Sequence, residues 1–175
     1  MIEHFVNQWY ENRQELESFL EKEYDQSEDK RYWGVGYRYL FRKVFELVVT
    51  QPREIRDRHD QRWNNYSWDW SRFRTIDDGE YQGEIVFIMV PNVYQPSLDK
   101  DYYFTSVVYG SCSHCDTMQH VQEVVETKEE KIQALMLAAL HMVQATKTFQ
   151  SAEEFALKSY EATLHEPPWG TDYEQ

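Results

Sequence analysis

From Lys128 to Thr148 the chain is apolar on nearly every side of a helix, and few folds accommodate such a segment. Ile132, Leu135, Met136, Ala139, Leu140 and Val143 form its main stripe, and Ala134, Leu137 and Ala138 carry apolarity round to the other side. A helix of this kind belongs inside a core or at a subunit interface. The sequence therefore predicts a buried centre or a homodimer. Thr127 with Glu130 matches the capping-box pattern at its start. Ser151 with Glu154 repeats the pattern and opens a last helix over Ala152–Thr163, which Pro167-Pro168 stops.

Three further helical segments precede it. Ile2, Phe5, Trp9, Leu16 and Phe19 fall on one stripe, with Asn12 set between Trp9 and Leu16, and glutamates fill the other faces. After Gly34 and Gly36, the spacing of Tyr37, Leu40, Phe41, Val44, Phe45 and Val48 predicts a second helix. Thr50 caps a short third helix with Pro52 in its first turn, carrying Arg53, Arg56, Arg58 and Arg62. The aromatic run Trp63–Trp70 has no period and reads as an ordered loop.

The middle of the chain changes character. Arg72–Ile76 alternates, Asp78-Gly79 signals a turn, and Glu84–Val90 is apolar on both faces, as a central strand is. Tyr102–Tyr109 is rich in β-branched and aromatic residues. The expected fold is α+β, a three-stranded antiparallel meander packed with N-terminal and C-terminal helices. One domain spans 1–175, helical over 1–62, sheet over 72–109, helical over 117–163, with a polar tail at 164–175.

Composition narrows the partners. Net charge is −13, and the residues after Ile76 hold 17 acids against 5 bases. Residues 31–74 are locally basic, with 10 Lys and Arg against 5 Asp and Glu. An aromatic content of 16%, with 13 Tyr and 6 Trp, suits surface contact as well as core. Met1–Tyr10 has no apolar leader, no apolar run spans a bilayer, and two cysteines make no secreted scaffold, so the expectation is cytoplasmic with no membrane partner. Glycine loops for nucleotides, HExxH and GxSxG are absent, so nothing in the sequence asks for an enzyme.

Three segments can carry function. In Gly110-Ser111-Cys112-Ser113-His114-Cys115-Asp116, thiolate and imidazole suit zinc, with Cys112, Cys115, His114 and His120 as ligands and zinc the one cofactor to consider. The same Cys-x-x-Cys can do redox chemistry, or one thiol can act as a nucleophile with a distant histidine as base. Alternatively the segment is a tight turn: Gly110 supplies an unusual backbone angle, Asp116 caps the next helix, and the cysteines are small buried groups. In the second segment, Arg38, Arg42, Lys43, Arg53, Arg56, Arg58 and Arg62 can meet phosphates while Trp63, Tyr66, Trp68 and Trp70 stack on bases. In the third, Glu123, Glu126, Glu129, Glu130, Glu153 and Glu154 form an acidic surface able to imitate a phosphate backbone and enter a basic groove.

The stretch Asp78-Gly79-Glu80-Tyr81-Gln82-Gly83, through Tyr102-Tyr103-Phe104, to Gly110-Ser111-Cys112-Ser113-His114-Cys115-Asp116-Thr117 resembles a pattern in uncharacterised small proteins of bacteriophages and prophages. Those read Gly-Ser-Cys-Ser-Gly-Cys-Asp after a Tyr-rich strand, and here His114 replaces the second glycine of that pattern. The resemblance covers about forty residues and implies phage origin, with no catalytic role to transfer. With the acidic half and the aromatic excess, it leads to the expectation of a phage-encoded interaction protein. Such a protein would bind and inhibit or modulate a host protein, a nuclease or other anti-phage defence component being the class of target. A zinc or cysteine-dependent protein and a nucleic-acid binder are the alternatives.

Overall fold

The first helical stripe folds as α1, Ile2–Gln26, with Phe5, Trp9, Leu16 and Leu20 buried. This computed structural model describes residues 2–29, 35–49, 68–92, 96 and 102–150. The expected short helix with Arg53, Arg56, Arg58 and Arg62, the last helix at Ala152–Thr163 and the polar tail lie outside the described residues. Asn12, the polar residue in the stripe, donates from Nδ2 to the Val48 carbonyl at 3.2 Å. Such a partner offsets the partial withdrawal of the amide from water.

The second pattern folds as α2, Tyr37–Lys43, and continues into a π-helical turn over Val44–Val48. The Val49 N–H bonds to the Val44 carbonyl at 3.0 Å. This wider turn rotates the residues that follow it, and Val48 and Val49 are both fully buried. The carbonyls it turns outward are used by side chains: Val48 by Asn12, and Val49 by Trp68 Nε1 at 2.9 Å.

The sheet corrects the sequence in one respect. β1 (Arg74–Asp77), β2 (Gly83–Met89) and β3 (Tyr103–Tyr109) form the expected antiparallel meander, with Phe87 opposite Thr75 and Thr105. A fourth strand, β4 (Lys147–Thr148), pairs antiparallel with β3 and completes the order β1-β2-β3-β4. The sequence reads these two residues as the end of a helix. Instead α4, Lys128–Ala145, stops where Thr146 turns extended, and the Thr146 and Thr105 hydroxyls both donate to the Met142 carbonyl, at 2.7 and 3.2 Å. Helix ends leave such carbonyls without helical partners, and two hydroxyls take this one up.

Between β3 and α4 lies α3, Thr117–Glu123. Ile132, Leu135, Ala139, Met142 and Val143 of α4 are buried, and the helix packs on α1 and on β3. Leu137 is 54% exposed, so the apolar surround predicted for this helix is open on one side. Among the described residues the aromatics mostly fill the core or pack against it. Phe41 stacks on Phe87 at 4.6 Å between ring centroids, Phe5 meets Tyr103 edge-on at 5.6 Å, and Trp68 meets Tyr103 edge-on at 5.4 Å. Tyr10 and Tyr81 remain well exposed. Among the described residues no helix is long and apolar enough to cross a membrane.

Candidate functional site

Three stretches that are distant in sequence meet at one end of the sheet. Gly83 pairs with Tyr109, so the turn joining β1 to β2 lies beside the start of the Gly110–Asp116 loop. The Asp78 carboxylate accepts from the Glu84 N–H at 2.7 Å, and Asp77 accepts from the Gly79 N–H at 3.2 Å. The Tyr109 hydroxyl donates to Asp77 at 2.7 Å. That hydrogen bond, with the neighbouring Asp77, Asp78 and Asp116 charges, pushes the Tyr109 phenol up to about 12.

The loop itself is a tight turn, as the sequence allows. The Cys115 N–H bonds to the Cys112 carbonyl at 2.9 Å. Gly110 is needed here for close approach: a Cβ on it would sit 2.6 Å from Cys115 Cβ and press on its sulfur. Its expected role of supplying an unusual backbone angle is thus replaced by a packing role. Asp116 caps α3, accepting from the Gln119 N–H at 2.9 Å, and it is buried. Tyr37 reaches across from α2, donating to Asp116 at 3.3 Å and accepting from the Thr117 N–H at 3.1 Å. Burial first, then the Asp116 charge, raises the Tyr37 phenol above its ordinary range.

The expectation that the cysteines are buried does not hold. Cys112 and Cys115 are free and exposed, with their sulfurs 2.7 Å apart. The Cys112 N–H donates to Cys115 Sγ at 3.2 Å. The hydrogen bond from Cys115, then the His114 backbone N–H, lowers the Cys112 thiol below its ordinary range, and the same pairing raises Cys115. Of the four zinc-ligand candidates, the structure brings these two together. His114 is exposed, and His120 points Nδ1 at the Ser113 carbonyl, 3.2 Å away. Among the described residues, no group of three or more Cys, His, Asp or Glu side chains is placed to hold a metal.

The acidic candidates lie where α3 passes into α4. Glu123, Glu126, Glu129 and Glu130 are all exposed. Glu130 accepts from the Thr127 hydroxyl at 2.8 Å, and Thr127 Oγ1 caps α4. The end of α1 joins them through Lys128, whose ammonium holds both Asp25 oxygens at 2.7 and 2.8 Å. Asp25, with Glu21 and Glu129 nearby, raises the Lys128 pKa. Among the described residues, none of the four glutamates makes a salt bridge. Glu153 and Glu154 lie outside the described residues.

The described part of the basic segment is occupied within the chain. Glu46 receives Arg42 at 2.5 Å and Lys43 at 2.8 Å, which lowers its carboxyl against the opposing effect of burial. Arg42 lies over Trp70, Lys43 over Phe19 and Arg38 over Phe73. Trp68, expected to stack on bases, is buried in the core with its indole N–H bonded to Val49. Arg31, Arg53, Arg56, Arg58, Arg62, Trp63 and Tyr66 lie outside the described residues. No family model, curated protein or solved structure matches this chain.

Proposed function

We propose that this chain is a phage-encoded interaction protein that sets its acidic end against a basic surface of a host protein and inhibits or modulates it. The target class that fits is a nuclease or another anti-phage defence component whose working groove is basic. One observation carries the reading. Glu123, Glu126, Glu129 and Glu130 stand exposed, without a salt bridge among the described residues, beside the α1 end that bears Glu21 and Asp25. Like charges held together on a surface cost stability through self-repulsion and favour fast association with a partner of opposite sign. The exposed Leu137 on α4 offers a second subunit an apolar contact, and the exposed Tyr10 and Tyr81 offer aromatic ones. Phage origin rests on the resemblance of the Asp78–Thr117 stretch, and cytoplasmic placement in the host follows from it.

The test is capture from a host lysate at low salt with wild type and with a Glu123→Gln, Glu126→Gln, Glu129→Gln, Glu130→Gln variant side by side. The reading expects a protein retained by wild type, released by moderate salt, and lost with the variant. Equal retention by both chains, or none by wild type at low salt, contradicts it.

A further inference from the structure

The acidic end makes no use of the two thiols that the Gly110–Asp116 loop brings together. Cys112 and Cys115 are exposed, free and in contact, with 2.7 Å between sulfurs. The turn closed by the Cys115 N–H and the Cys112 carbonyl holds their backbones together. Turns of this kind keep Cα(i) and Cα(i+3) within about 7 Å, and a disulfide needs Cα atoms about 4.4–6.8 Å apart. Closure therefore needs little backbone movement. The two sulfurs are not equivalent. Cys115 Sγ lies on the inner side, against Gly110, with contacts to both the N–H and the carbonyl of Cys112, at 3.2 and 3.3 Å. Cys112 Sγ instead faces the His114 backbone N–H.

We propose that Cys112 and Cys115 form a thiol–disulfide exchange site whose oxidant is a low-molecular-weight disulfide of the glutathione class. Cys112, as thiolate, attacks one sulfur of the small disulfide. A bond forms between Cys112 and that sulfur, and the other half leaves as a thiolate that takes up a proton. Cys115 then gives up its proton and attacks Cys112 Sγ. The internal disulfide forms, and the second half leaves as a thiol. Two protein thiols are oxidised and one small disulfide is reduced to two thiols. The reverse sequence, with two small thiols, reopens the site.

The experiment uses the reduced full chain, with a chelator present, in mixtures of reduced and oxidised glutathione. Samples are acid-quenched, alkylated and weighed intact. As the mixture becomes oxidising, the wild-type chain passes from two alkylatable thiols to none, with no glutathione attached and no linked dimer. Cys115→Ser stops at the intermediate, holding one glutathione on Cys112. Cys112→Ser likewise carries one glutathione, on Cys115, and neither variant can close an internal bond. Both cysteines are exposed, so serine keeps the fold, and circular dichroism checks this. Two results overturn the proposal: a wild-type chain that keeps both thiols in fully oxidised glutathione, or one that carries attached glutathione in place of the internal bond.

Discussion

Gly110 shows how one residue sets the loop. Its missing side chain lets Cys115 fold back over it, and Gly110→Ala pushes a methyl group into the Cys115 side chain. A buried clash of this kind costs about 1–3 kcal/mol, so the midpoint of denaturant unfolding should fall. The variant should also slow closure of the Cys112–Cys115 pair, because the inner sulfur is displaced. Two phenols give a pH signature. Tyr39 donates to Glu23 at 3.0 Å, and burial with that hydrogen bond raises its phenol to about 12. Tyr109 is raised to about 12 by its bond to Asp77. In the unfolded chain both ionise near their ordinary value of 10.0. Below that pH each phenol is neutral in both states and its contribution to stability is complete. Above it the unfolded state loses protons first, and the contribution fades as pH rises through about 12. Thermal melts of wild type should therefore decline from pH 10 upward more steeply than those of a Tyr39→Phe, Tyr109→Phe variant.

At the scale of elements, α3 depends on its neighbours. Seven residues make too short a helix to persist alone. Asp116 caps it, Met118 and Val121 bury against the core, and Tyr37 clamps the cap from α2. Asp116→Ala removes a cap worth about 1 kcal/mol and leaves the Tyr37 hydroxyl without its carboxylate, so a loss at or above that size is expected in urea unfolding. Trp68→Ala should cost more, about 3–5 kcal/mol, because it empties a core position beside Phe5, Phe45 and Tyr103 and strands the Val49 carbonyl. Long-period elements were legible in the sequence. α1, α2, α4 and the meander announce themselves by apolar spacing, and Thr127 with Glu130 marks the start of α4. β4 was not legible, since two residues carry no period and pair with β3 only once the chain has folded. The Cys-x-x-Cys loop was visible as residue types, and so was the Asp116 cap. The exposure of its thiols was not, and neither were its ties. Tyr37 and Asp116 are 79 positions apart, and Tyr109 and Asp77 are 32 apart. Only tertiary folding makes such pairs.

Across the molecule, charge and aromaticity are divided between two tasks. The aromatic residues of the described chain mostly build the core that joins α1, α2 and the sheet. The described arginines and lysines of the basic segment are spent on Glu46, Asp69, backbone carbonyls and ring faces within the same chain. The glutamates at the start of α4 make no salt bridge among the described residues, and apart from the Thr127–Glu130 capping bond they are left to solvent or to another molecule. The most direct test is the affinity for the captured host protein, measured by calorimetry over a range of salt for wild type and for the variant with Glu123, Glu126, Glu129 and Glu130 all changed to Gln. Docking through the acidic end predicts wild-type binding that weakens steeply with salt, and a variant weaker by about tenfold or more at low salt with a flatter dependence. Equal affinities with the same salt slope would place the contact elsewhere on the molecule and contradict the account.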